Sequence, residues 1–261
     1  MIEVFVEGIG LAGPGLNGWT AAQAVLAGTA PYRPAPFAVP PIALLPPAER
    51  RRAGLTVRLA IGVGLEALSH AGRDPRAMAT VFAASGGDGE TVHETLSVLA
   101  TARREVSPTR FHNSVHNAPS GYWAVATGSR EPSTSLCAFD ASFSAGLLDA
   151  VAQVAVADRP VALIAYDVPY PEPLHGVRPI GDCFGVALVL TPGRTGRTVA
   201  ALRADFGRCE GDPPAMADPG LERLRRSNPA ARALPLLVRI ARRETGALSL
   251  DASVVIEVTA S

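Results

Sequence analysis

Asp140 stands where enzymes often place chemistry. In CAFDASFSAGLLDA (137–150), an apolar run with strand character, residues 135–139, meets a cluster of small residues and then a helical pattern carried by Leu147, Leu148, Val151 and Val154. A strand end and a first helical turn present side chains together with unpaired amide N–H groups. A carboxylate there can serve as a general base or covalent nucleophile, or it can cap the helix by accepting first-turn N–H bonds at the positive end of the dipole. The pattern predicts capping for Asp140, and a carboxylate tied up by amides is a poor base.

Three other constellations have reactive residue types. Ser142-Phe-Ser144-Ala-Gly146 resembles a nucleophile elbow with serine at the first glycine position, and Asp158 or Asp167 and then His175 follow in the order of a hydrolase triad. Only one α/β unit fits between Ser144 and His175, whereas triad partners come from separate later strands. His112 and His116 stand four apart, as two metal ligands on one helix face would, but no third ligand has matching spacing and the surrounding SPTRFHNSVHNAPSG is loop-like. Hydrogen-bonded loop histidines are expected instead. Gly8-Ile-Gly-Leu-Ala-Gly13 fits G-x-G-x-x-G after a strand, yet Pro14 and Gly15 fall where the phosphate-binding helix should begin, and no acidic residue closes a second strand. A tight glycine turn over residues 8–18 is expected.

The elements that must hold these residues alternate. Strands are predicted at 2–7, 79–84, 135–139, 161–166, 183–190, 198–206 and 252–258; helices at 19–26, 48–71, 89–101, 121–127, 141–157 and 221–243. Seven prolines between residues 31 and 47 exclude helix and inner strand there, so that segment is expected to wrap the surface as an arm. Residues 107–119 and 168–179 are expected to be loops. Strands alternating with helices imply a parallel or mixed sheet covered on both faces.

Composition narrows the partners. At 261 residues and 48% hydrophobic the chain can bury one substantial core, and 24 basic against 24 acidic residues leave no whole-chain field for nucleic acid or an anionic membrane. Lysine is absent, which removes Schiff-base and P-loop lysine chemistry. The N-terminus has no basic n-region, and the apolar stretch 150–166 is broken by Asp158, Arg159 and Pro160, so neither a signal peptide nor a membrane span is expected. Cys137, Cys183 and Cys209 lack CxxC spacing, which argues against a disulfide framework or a zinc site. A cytoplasmic protein with no cofactor and no metal is expected.

The order of segments is similar to the beta-ketoacyl synthase family. VFVEGIGLAGPGLNGW, LPPAERRRAG, SPTRFHNSVHNAPSGYWAVATG, STSLCAFDASFSAGLLDA and DCFGVALVLTP resemble, in sequence order, the family's opening strand and turn, its next helical segment, the stretch before the active-site strand, the nucleophile segment and the strand opening the C-terminal half. The resemblance spans about residues 1–207. It implies an α/β, thiolase-like α-β-α fold in one ketosynthase-like domain, with residues 1–167 nearly complete and a reduced C-terminal half, 168–261.

In that register Asp140 takes the place of the family's nucleophilic cysteine. The two catalytic histidines should follow the strand matching 183–190, yet His175 is the last histidine of the sequence. The resemblance therefore implies a truncated, catalytically dead subunit, similar to the chain-length-factor partners of heterodimeric ketosynthases and to ketosynthase-like proteins of aryl polyene-type pathways. Its implied partner is an intact beta-ketoacyl synthase, with acyl carrier protein as a further contact and a homodimer when alone. Phe111, His112, Asn113, His116 and Asn117 are implied to lie near the interface, and Tyr122, Phe139 and Phe143 to add bulk around the acyl tunnel. Arg103, Arg104 and Arg110 flank that loop; a solvated face is their ordinary role, and an acidic carrier protein is the functional alternative. A stand-alone enzyme, either an Asp140-dependent decarboxylase or a Ser144 hydrolase, is the competing reading.

Overall fold

The computed structural model describes residues 1–206, 213–251 and 254–260. Its strands are β1 (Ile2–Gly13), β2 (Leu16–Asn17), β3 (Ala79–Ala83), β4 (Ser133–Leu136), β5 (Val161–Asp167), β6 (Phe184–Thr191), β7 (Ala200–Phe206), β8 (Gly246–Ser249) and β9 (Val254–Ala260). They form one sheet in the order β4-β3-β5-β6-β1-β7-β9-β8, with β2 folded back on the end of β1. β3 runs parallel to β4 and β5, and the remaining described pairs are antiparallel.

The helices are α1 (Trp19–Ala27), α2 (Pro47–Arg52), α3 (Leu55–Ala71), α4 (Gly89–Leu99), α5 (Pro108–Asn113), α6 (Ala118–Thr127), α7 (Ser142–Ala157), α8 (Leu174–Val177), α9 (Pro219–Ser227) and α10 (Leu234–Arg242). Period-2 alternation sends side chains to two cores. From β5, Val161, Leu163 and Ala165 join α1, α7, α9 and α10 on one face, while Ala162, Ile164 and Tyr166 join α3 and α6 on the other. The proline-rich arm adds Ile42 and Leu45 to the second core. The result is the expected α-β-α layering.

Several expectations need correction. Residues 8–13 continue β1 instead of turning, because α3 crosses them so closely that only glycine fits: a Cβ on Gly8 would lie 2.1 Å from the Ala67 carbonyl oxygen, and one on Gly10 would lie 2.0 Å from that of Val63. The glycine pattern therefore reflects packing. The predicted helix 48–71 breaks at Ala53 and Gly54, both extended. The predicted helix 221–243 breaks at Asn228, whose side-chain amide donates to the backbone carbonyls of Asp167 (3.2 Å) and Asp182 (2.7 Å). Residues 107–119 contain α5, and the active-region strand ends at Leu136 instead of 139. The short elements α8 and β8 carry too few residues for a periodic signal. Cys209, and residues 252–253 of the predicted last strand, lie outside the described residues. By length and composition, residues 139–157 form a helix apolar enough to cross a membrane. Here it is the core helix α7, with Phe143, Leu147, Val151 and Val154 packed into the first core.

Candidate functional site

Parallel β3, β4 and β5 end side by side, and the chain leaves β4 through a short 3₁₀ turn, Phe139–Ala141, before α7. Asp140 sits in that turn. It does not cap α7, whose N-cap residue is Ala141 with no side-chain cap bond, so the capping expectation is wrong. Its carboxylate instead accepts two charge-assisted bonds: Arg178 Nη2 donates to Oδ1 at 2.6 Å and Arg232 Nη2 to Oδ2 at 2.8 Å. Arg178 also lies over the Phe139 ring, its guanidinium carbon 3.6 Å from the ring centroid. Two guanidiniums against one carboxylate leave this cluster positive.

A second group lies at the same strand ends. Asp167, the last residue of β5, is buried, and its Oδ1 accepts from Ser85 N (2.9 Å) and Ser85 Oγ (2.6 Å). Among the described residues, Oδ2 is buried with no partner within hydrogen-bonding geometry. Burial pushes the Asp167 carboxyl up to about 7, against the lowering effect of the Ser85 bonds. The exposed Cys137 donates its Sγ–H to the Ser85 carbonyl at 3.1 Å. Burial, reinforced by Asp182, pushes the Cys183 thiol up to about 11, which disfavours a thiolate there.

The loop residues divide. Tyr122 is buried and donates its hydroxyl to Asn113 Oδ1 at 3.1 Å, Asn113 Nδ2 donates to the Arg52 carbonyl at 2.9 Å, and the His112 ring meets Tyr122 edge-on. These three tie α5, α6 and the end of α2 together. Among the described residues His116 Nε2 is buried with no hydrogen-bond partner, while Asn117 and Phe111 are exposed. Phe143 is buried in the first core and Tyr122 in the second, so the two aromatics are on opposite faces of the sheet, while Phe139 is exposed. Arg110 pairs with Glu94 at 2.8 Å; Arg103 and Arg104 are exposed.

Ser144 is buried, with Oγ in hydrogen-bonding reach of the Ala141 carbonyl (2.9 Å) and of Asp251. Among the described residues no histidine bonds to Ser144, Asp140 or Cys137, and no three His, Cys, Asp or Glu side chains gather to hold a metal ion. His112 lies on α5 and His116 beyond its end, so they do not share a helix face. Arg178, Arg232 and Ser85 were not legible as site residues. They lie 38, 92 and 82 residues from the carboxylates they bind, and no local pattern marks such pairs.

The family model described as the N-terminal domain of beta-ketoacyl synthase matches residues 19–223. Curated proteins give no match. Among solved structures, the complex of the ketosynthase ApeO with its chain length factor ApeC from Xenorhabdus doucetiae aligns at TM-score 0.74 and 22% identity, over 99% of this chain and 100% of that one. The AntDE:AntF complex, a type II polyketide synthase acyl-carrier protein with its ketosynthase bound to the hexaketide, aligns at TM-score 0.73 and 10% identity, over 100% and 99% of the two chains. The ishigamide ketosynthase/chain length factor aligns at 0.70 and 14% identity, again over 100% and 99%. At these identities the likeness establishes the thiolase-like fold.

Proposed function

Because the chain belongs to the beta-ketoacyl synthase family, we propose that it is a chain-length-factor-type subunit that performs no condensation itself and pairs with an active ketosynthase. Its setting is cytoplasmic fatty acid or polyketide synthesis of aryl polyene type, where it shapes or stabilises the partner's acyl tunnel. One observation carries the reading: Asp140, which the sequence resemblance aligns with the family's nucleophile, has both carboxylate oxygens bound by Arg178 and Arg232.

Condensation needs a nucleophile that takes over an acyl group as a thioester, and donors that stabilise the developing oxyanion or enolate. A carboxylate acylated in place of a thiolate would give a mixed anhydride, which water cleaves. The two arginine bonds also withdraw the oxygens' lone pairs from attack. No histidine follows His175 in the sequence to supply the second requirement. The solved structures similar to this chain include ketosynthase–chain length factor pairs, which supports pairing as the role. Among the described residues Asp140 is held by two arginines, and no imidazole bonds to the buried Ser144, which does not support the stand-alone enzyme.

The test has two arms. Intact-mass analysis after incubation with acyl-loaded carrier protein should show no stable adduct, and malonyl-carrier substrate should release no carbon dioxide. Co-expressed with an intact ketosynthase from the same organism, the chain should elute as a heterodimer by size-exclusion chromatography with light scattering and should alter product length. An acyl adduct lost in Asp140→Ala, or a stable monomer that leaves product length unchanged, would overturn the reading.

A further inference from the structure

On the face of the sheet that carries α1, α9 and α10, the C-terminal turns of α1 and α10 flank a cleft of about 740 Å³. Asp140, Arg178 and Arg232 do not line it. Sites for small molecules have such volumes, with mostly apolar walls and a few placed polar groups. The walls here fit that description. Leu26, Leu221 and Pro235 are buried, while Val25, Tyr32 and Val238 pack partly against the same core. The Tyr32 hydroxyl donates to the Pro14 carbonyl at 2.8 Å, so the tyrosine adds an aromatic wall whose polar end is already satisfied. The rim is pinned as well: Met216 N donates to Glu222 Oε2 at 2.9 Å, and Arg225 grips Glu222 through Nε and Nη2 at 2.7 Å. The cleft is therefore built without a ligand.

Its charged groups say what it would take. Asp218, Arg239, Arg242 and Glu244 line the cleft. Asp218 Oδ1 accepts from Gly220 N and Leu221 N at the start of α9, and Arg242 Nη1 faces Glu244 Oε1 at 3.7 Å. Arg239 differs. Half-buried, it has no ion pair and no hydrogen bond among the described residues. Two glycines leave room for the guanidiniums: a Cβ on Gly246 would lie 2.8 Å from Arg239 Nη1, and one on Gly28 would lie 3.4 Å from Arg242 Nη2. A guanidinium partly withdrawn from water and unpaired, beside apolar walls, matches an anion whose remainder is apolar. The carboxylates of Asp218 and Glu244 oppose a second negative charge, which favours a monoanion over a phosphate.

We propose that this cleft binds an amphipathic monocarboxylate, a free medium-chain acid whose carboxylate pairs with Arg239 and whose chain lies on Val25, Leu26 and Val238. An acyl chain held as a thioester has no carboxylate, so the site takes the free acid and not a carrier-borne one. The inference does not rest on the pairing proposed above.

Calorimetric titration of the full chain with octanoate tests it, and melting temperatures report that each variant is folded. Octanoate should occupy one site with a dissociation constant of about 0.1 mM. 1-Octanol, the same chain without the charge, should bind about tenfold more weakly or worse. Inorganic phosphate and octanoyl-loaded carrier protein should not compete. Arg239→Gln should weaken octanoate about tenfold and leave octanol unchanged, a split that a merely structural arginine would not give. Val25→Trp, which fills the cleft from α1, should abolish binding of both. A parent chain without saturable octanoate binding in the millimolar range overturns the proposal. So does parent-like octanoate affinity in Arg239→Gln, octanol that binds as tightly as octanoate, or competition by phosphate or by the loaded carrier. Should Val25→Trp fail to fold, Arg239→Gln decides alone.

Discussion

Replacing Asp140 by asparagine separates a charge clamp from a helix cap. A capping aspartate tolerates asparagine, because the amide oxygen still accepts first-turn N–H bonds, whereas leucine at such a site costs about 0.5–2 kcal/mol. The clamp predicts otherwise. Asp140 receives bonds of 2.6 and 2.8 Å from arginines whose side chains are 23% and 33% exposed, with Asp140 at 37%. Each pair therefore lies between a solvated ion pair, worth about 0.2–1 kcal/mol, and a buried charged hydrogen bond, worth about 1.5–3 kcal/mol. Asparagine keeps one acceptor, loses the charge and turns amide hydrogens toward the other guanidinium, so a loss of about 1–2 kcal/mol is expected. For a chain of this size that is a fall of roughly 2–4 °C in melting temperature. Thermal melts of the parent, Asp140→Asn and Asp140→Leu decide the matter, and 1 M salt should narrow the gap between parent and Asn. An Asn variant that melts with the parent while the Leu variant falls would refute the clamp.

Asp167 predicts a pH dependence. Its carboxyl rises from 3.8 to about 7 in the fold, so between those values the folded state holds a proton that the unfolded chain has released. Its contribution to stability is fully present below about pH 4 and is lost as pH rises to about 7, an effect of at most about 4 kcal/mol. Asp167→Asn should flatten the fall in melting temperature between pH 5 and pH 8, and an unchanged slope would show that other groups cause it. Gly10→Ala should lose about 3 kcal/mol or more, or fail to fold, since its Cβ would meet the Val63 backbone. Gly121→Ala, with open space around it, should gain about 0.5–1 kcal/mol in α6. Denaturant titration of both glycine variants checks the contrast.

Most of the fold was legible because its signals are local. The continuous apolar runs of β3, β5 and β6, buried on both faces, and the helical period of α7 are written in adjacent residues. The same holds for the helix stops at Gly28, Gly72 and Gly128, whose left-handed backbone favours glycine. Where a long-range contact overrode the local pattern, the expectation failed. Gly8 and Gly10 carry a turn signal, but α3, more than fifty residues on, made them the floor of a helix–sheet contact. Asn228 broke a helix to reach two distant carbonyls.

The site divides in the same way. By itself the sequence determined that an aspartate stands at the strand-to-helix junction and that no histidine lies between residue 175 and residue 261. It could not say what that aspartate does, because capping depends on residues one to three positions away, while the clamp depends on Arg178 and Arg232, brought in from 38 and 92 residues along the chain. Only the tertiary structure decided between them. Residues 139–141 form a 3₁₀ turn, the Asp140 side chain makes no cap bond to α7, and Arg178 and Arg232 reach its carboxylate from segments distant in sequence, which only the folded chain brings together.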